Sequence, residues 1–195
     1  MNTHYKISGK ALTLANAFGF LFPAEVFLLQ SLAQALPENA VMVCIGAGAG
    51  TGSLALAEIH PQAILYTIDI SEGGPNGGFE NEKNAFRAAE IEKLLPFQVL
   101  GDSGKIHKDW KKISKNKKID LLFIDGDHAA SALQADIDGW CKYVCPGGYV
   151  LFHDYNSVSW SDVTRVVDKN MLPNPENHWR YVHAVDTLIA FQRVT

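Results

Sequence analysis

The sequence predicts an α/β fold, a doubly wound Rossmann-like sheet with helices on both faces. Three observations carry that prediction. Short apolar, β-branched runs alternate with amphipathic segments along most of the chain. The runs are near-continuously apolar, as strands covered on both faces are. A glycine-rich stretch, "GAGAGTG", joins the first run to the helical segment behind it. At 195 residues, 47% hydrophobic and 19% charged, the chain is sized and composed as one domain, 1–195. A net charge of −4 gives no global attraction to nucleic acid or to a membrane surface.

The elements follow in order. "PAEVFLLQSLAQAL" (23–36) has apolar residues at helical spacing, Pro23 in its first turn and Pro37 beyond its end. Residues 1–38 are therefore expected to form an N-terminal helical segment, a lid or a homodimer contact, ahead of a core over 39–195. The apolar stretch "AFGFLFPAEVFLLQ" is interrupted by Pro23 and Glu25, so it cannot span a bilayer, and it lacks the flanks of a signal peptide. With three cysteines, Cys44, Cys141 and Cys145, and no CxxC, reduced thiols in a cytoplasmic protein are expected.

"VMVCIG" (41–46) reads as the first strand, "TGSLALAEIH" as a helix stopped by Pro61, and "AILYTID" (63–69) as the second strand. "GGPNGG" (73–78) is a loop, and "FENEKNAFRAAEIEKLL" (79–95) a helix ended by Pro96. "FQVLGD" (97–102) is the third strand. In "KIHKDWKKISKNKK" (105–118), Ile106, Trp110 and Ile113 recur at helical spacing opposite a lysine-rich side, which predicts one amphipathic helix with a solvated lysine face. "IDLLFID" (119–125) is the fourth strand. A helix carrying Leu133, Ile137, Trp140 and Val144 then stops at "CPGG". "YVLFHD" (149–154) is the fifth strand and "SWSDVTRVVDKNML" a helix. "WRYVHA" and "DTLIAFQRV" close the chain as a hairpin.

In doubly wound sheets the ligand sits outside the carboxyl ends of the strands. Asp69, Asp102, Asp125 and Asp154 all fall at those ends. Helix capping alone hardly accounts for four acids on one rim. The glycine loop admits three nucleotide readings. A P-loop requires a lysine that this segment lacks. A dinucleotide fingerprint requires glycine at the sixth position from Gly46, where Thr51 stands. The third, G-x-G-x-G after an apolar strand, suits a ligand that needs close backbone approach. Asp69 could take both ribose hydroxyls of either kind of nucleoside. Asp102 can accept from an adenine amino group, and Ser103 can add a hydrogen bond.

The stretches "IGAGAGTGSLALAE", "YTIDI", "GDS" and "FIDGDHAASALQADIDGWCKYVCPGGYVLFHDY" together resemble class I S-adenosylmethionine-dependent methyltransferases. The likeness runs from about Gly19 to Asn156. Within that class the sequence is similar to the small cation-dependent O-methyltransferases, around the macrolide-sugar branch. The resemblance implies a seven-stranded sheet in the order 3-2-1-4-5-7-6 with the last strand antiparallel. It implies S-adenosyl-L-methionine as cofactor, with Gly46, Ala47, Gly48, Gly50, Ser53, Asp69, Ile70, Asp102, Ser103 and Asp125 as binding residues. It further implies that Asp125 and Asp154 hold Mg²⁺ or a similar divalent cation, and that His128 is the general base acting on a small hydroxylated acceptor. A hard cation at two carboxylates would offset their repulsion and stabilise a forming alkoxide, while His128 titrates near neutral pH.

The sequence departs from that pattern at several points. Cys44 replaces the acid usual two residues before the loop's first glycine, which weakens one expected cofactor contact. Tyr155 separates Asp154 from Asn156, leaving Asn156 or Glu72 as third ligand. Ala130 removes an aromatic, which widens the expected acceptor pocket. His153 is expected to point to the side of its strand opposite Asp154 and to be structural. Trp160 either packs or lines the acceptor pocket, with packing the simpler reading. Two other functions compete: a methyltransferase-fold nucleoside-binding protein without catalysis, and an NAD-dependent oxidoreductase.

Overall fold

In the computed structural model of the chain, residues 9–18, 20–73, 77–172 and 178–195 are described. The helices are α1 (Gly9–Phe18), α2 (Pro23–Gln34), α3 (Thr51–Ile59), α4 (Phe79–Ala88), α5 (Ser103–Ile106), α6 (Trp110–Ile113), α7 (Ala130–Trp140) and α8 (Ser161–Met171). The strands are β1 (Val41–Ile45), β2 (Ile64–Asp69), β3 (Phe97–Leu100), β4 (Ile119–Ile124), β5 (Val144–Phe152), β6 (Trp179–Val185) and β7 (Leu188–Arg193). They form one sheet in the order β3-β2-β1-β4-β5-β7-β6. β1 to β5 pair in parallel, and β7 runs antiparallel to both β5 and β6. The expected fold class and strand order are both present.

Two apolar layers sandwich the sheet because successive strand residues face opposite sides. Val41, Val43 and Ile45 of β1 join Leu122, Ile124, Trp110, Trp140 and the inward residues of α7 and α8. Met42 and Cys44 face the other way, into a layer with Leu121, Phe123 and the inward residues of α1 to α4. Trp110, Trp140 and Phe123 are at most 1% exposed, and burial of each such side chain is worth about 1.5–3 kcal/mol. The N-terminal α1 and α2 belong to this second layer, with Ala11, Ala15, Val26 and Leu29 buried against α3.

Several boundaries differ from the sequence reading. The helix expected over 79–95 ends at Ala88, since Glu90 adopts φ 57°, and a 3-10 turn over Glu92–Leu94 follows. The amphipathic segment over 105–118 is three short turns rather than one helix, closed by Lys115 and Asn116 at positive φ. Its pattern still holds: Trp110 is buried, Ile106 and Ile113 pack on the core, and all seven lysines are exposed. Val144 and "CPGG" belong to β5, whose pairing with β4 slips between Ile119 and Leu121. The expected loop over 73–78 lies partly outside the described residues. Among the described residues, no helix is long and apolar enough to cross a membrane.

Candidate functional site

The parallel strands end on one rim, at Ile45, Asp69, Leu100, Ile124 and Phe152. A crevice of 1260 Å³ opens there. Gly46, Gly48, Asp69, Ile70, Asp102 and Ser103 line one part of it, and Asp125, His128, His153, Asp154 and Trp160 another.

The glycine loop is shaped by close approaches that only glycine allows. Gly46, Gly48 and Gly50 have φ of +91°, +51° and +86°. A Cβ at Gly46 would lie 2.0 Å from the Asp125 carbonyl oxygen, and one at Gly50 would lie 2.8 Å from Glu82 Cα. A Cβ at Gly48 would meet nothing within 4 Å, so this residue faces open space in the crevice. The Ala47 and Ser71 amides donate to the two Asp69 carboxylate oxygens, each at 2.7 Å. Asp69 is thereby fixed at the crevice with lone pairs left for a ligand.

Ala47, Gly50 and Ser53 support the loop from beneath rather than lining the crevice. Ser53 is 3% exposed and donates to Glu82 at 2.6 Å. Glu82 also accepts from Thr67 at 2.8 Å and Gln98 at 2.7 Å. Burial raises the Glu82 carboxyl above its ordinary pKa, and its three donors satisfy it. Cys44 lies beneath as well; burial first, then Glu82, pushes its thiol up. At the other end of the loop region, the exposed Asp102 caps α5 through Gly104 and pairs with Lys105 at 2.8 Å, which lowers its pKa.

The second group is the denser one. His128 Nε2 stands 2.7 Å from Asp154 Oδ2, and the His128 ring stacks on Trp160 at 4.3 Å and 18°. The Asp154 contact raises the His128 pKa against the effect of burial. Burial would raise the Asp154 carboxyl, yet His128 and His153 hold it well below its ordinary value. Even so, the close approach to Asp154 is not aligned as a hydrogen bond, and His128 Nε2 is buried without a partner. One donor atom each from Asp125, His128 and Asp154 lies within 4.8 Å of the others, an arrangement that could hold a metal ion. Two carboxylates converging at this distance fit a hard cation, which takes oxygen ligands.

Glu72 does not join this group. Asn156 is exposed, at φ 59°, with its amide donating to Thr164 Oγ1; Glu72 is exposed on the loop after β2. His153 corrects the sequence reading in the opposite sense. β5 ends at Phe152 and Asp154 turns to φ 57°, so strand alternation no longer separates the two side chains. His153 Nδ1 lies 3.0 Å from Asp125 Oδ1 and 3.2 Å from Asp154 Oδ2. Burial disfavours its charge, but Asp125, Asp154 and Glu25 raise its pKa far above the ordinary value. Trp160 lines the crevice rather than packing away from it, 44% exposed. Glu25, Phe22 and Thr187 are at or beside the site without any local sequence signal to mark them.

Comparison with known proteins agrees with this fold. Residues 29–155 match a family described as methyltransferase domain. An uncharacterized protein of Acanthamoeba polyphaga mimivirus is 49% identical over 158 residues, covering 75% of this chain and 66% of that protein. An O-methyltransferase from Bacillus cereus, solved with S-adenosylhomocysteine, is similar in structure with a TM-score of 0.68 and 15% identity, covering 98% of this chain and 94% of its own. The methyltransferase MycE of the mycinamycin biosynthetic pathway, solved with Mg and S-adenosylhomocysteine, is similar with a TM-score of 0.65 and 14% identity, covering 97% of this chain and 54% of its own. The chain thus spans less than two thirds of the length of the mimivirus protein and of MycE.

Proposed function

The chain belongs to the methyltransferase-domain family, within the class I S-adenosylmethionine-dependent fold, and on that premise we propose that it methylates a hydroxyl oxygen of a small metabolite with the help of Mg²⁺ or a similar divalent cation. One observation carries the reading. A single crevice holds the glycine loop and Asp69 in one part, and the convergent Asp125, His128 and Asp154 in the other.

Each residue has a role in this scheme. The open face at Gly48 admits the cofactor to the loop, Asp69 receives its ribose hydroxyls, and Asp102 with Ser103 meets its adenine. Asp125 and Asp154 would hold the cation, which when bound draws in the acceptor oxygen and stabilises its negative charge. His128, which lines the crevice, accepts the hydroxyl proton. The freed oxygen lone pair forms the new bond to the methyl carbon as the carbon–sulfur bond breaks, its electron pair going to sulfur. Much of the rate in such a transfer comes from holding the two reactants in line.

Turnover of labelled S-adenosylmethionine with a panel of catechols and sugars, with and without EDTA, tests the proposal. Methylation that stops in EDTA and in Asp154→Ala is expected. Full activity of that variant in EDTA would remove the cation, and absence of S-adenosylhomocysteine binding would remove the activity itself. His128 variants separate base from ligand: a base variant keeps Mn²⁺ binding and loses turnover, whereas a ligand variant loses both.

A further inference from the structure

Glu25 is fully buried, at 0% exposure, and it lies on α2, outside the strand-end rim. Its oxygens accept from the Phe22 amide at 2.7 Å, the Thr187 amide at 2.7 Å and the Thr187 hydroxyl at 2.7 Å. His153 Nε2 completes the set at 3.3 Å. All three partner residues, Phe22, Thr187 and His153, line the crevice. Phe22 is the cap of Glu25's own helix, whereas Thr187 lies in the β6–β7 turn and His153 at the end of β5, so one side chain ties the start of α2 to two segments remote in sequence.

A buried carboxylate is retained only where its lone pairs are filled, since an unpaired one is costly. Here burial would raise the Glu25 pKa, but His153, the Phe22 amide and Thr187 outweigh it and keep the carboxyl below its ordinary value. The opposite ring nitrogen of His153 reaches Asp125 and Asp154 at 3.0 and 3.2 Å. Orientation of a histidine by the partner of its second nitrogen is a general means of fixing what the first nitrogen touches.

We infer that Glu25 is a positioning residue that, through His153, sets the spacing of Asp125 and Asp154, and that through Phe22 and Thr187 fixes the acceptor wall of the crevice. The inference rests on the proposed methyltransferase reading for its purpose, but its geometry can be tested separately. Glu25→Gln keeps shape and one acceptor oxygen, yet its amide nitrogen cannot accept from Phe22 or His153.

Two measurements on the full chain decide it. The first is Mn²⁺ binding by electron paramagnetic resonance in protein saturated with S-adenosylhomocysteine. E25Q should weaken Mn²⁺ at least tenfold and leave the S-adenosylhomocysteine Kd within threefold; unchanged Mn²⁺ affinity would overturn the role. The second needs no ion: imidazole ¹⁵N spectra of wild type and variant. Both His153 ring nitrogens should shift while those of His107 stay in place, and an unmoved His153 would overturn the positioning. Wild-type protein that binds no Mn²⁺ would remove the proposed cation site, and the His153 spectrum would still decide the inference. Should E25Q fail to fold, Glu25→Asp, which withdraws the carboxylate from His153 Nε2, should shift the same resonances to a smaller extent. No shift in that variant would count equally against the role. Glu25→Asp, which restores the charge on a shorter arm, should recover part of the Mn²⁺ affinity.

Discussion

Adding one methyl group at Gly48 or at Gly46 separates the loop's ligand-facing role from its structural one. Both residues sit at positive φ, so alanine at either incurs the left-handed cost of roughly 1–2 kcal/mol. At Gly48 nothing lies within 4 Å of the new Cβ, and that cost is the whole of it. For a chain of this length it amounts to a fall in Tm of about 2–8 °C. At Gly46 the Cβ would stand 2.0 Å from the Asp125 carbonyl oxygen, so the ends of β1 and β4 must part. Overpacking of this kind brings the total to roughly 3–5 kcal/mol, and a Tm fall of about 6–20 °C. Ligand binding should rank differently. Gly48→Ala puts its methyl into the crevice, and S-adenosylhomocysteine should bind at least about tenfold more weakly, near 1.4 kcal/mol. Differential scanning fluorimetry and isothermal titration calorimetry on the two variants give all four numbers. A Gly48→Ala protein that binds S-adenosylhomocysteine like wild type would refute the assignment of this loop as the cofactor cradle.

Three further outcomes are expected. Asp136 is 2% exposed, and its carboxyl is raised by burial to about 6. The folded state then holds a proton that the unfolded state releases near 3.8, so stability should fall as pH rises from about 3 to 7, by roughly 3 kcal/mol in all. Asp136→Asn should flatten that slope in urea unfolding, and an unchanged slope would contradict the buried carboxyl. Glu82→Leu leaves Ser53, Thr67 and Gln98 without their shared acceptor and should cost about 3 kcal/mol or more in the same assay; a loss below 1 kcal/mol would mean that water replaces it. Lys111→Glu and Lys112→Glu, on the exposed lysine face, should each shift stability by less than about 0.5 kcal/mol.

The parallel strands were legible because they are apolar runs with a glycine or proline signal on at least one side, and the rim acids because they follow those runs closely. The sheet order came through resemblance, which periodicity cannot supply. The breaks at Glu90 and over 105–118 escaped because a helical apolar spacing survives a chain of short turns. His153 was misread because alternation was carried one residue past the end of β5. Glu25 reads locally only as a helix-start residue, and neither it nor Thr187 carries a signal of its place beside the site. Their bond spans 162 residues, and the bond from His153 to Glu25 spans 128. An isolated glutamate in the amphipathic "PAEVFLLQ" reads as an ordinary polar position until the fold closes over it.

The most direct test is a crystal of the protein grown with S-adenosylhomocysteine and Mn²⁺. Nucleoside density on the Gly46–Gly48 loop with its ribose at Asp69, and an anomalous Mn²⁺ peak coordinated by both Asp125 and Asp154, is the expected result. A nucleoside bound elsewhere, or an anomalous map without a peak between those two carboxylates, would contradict it.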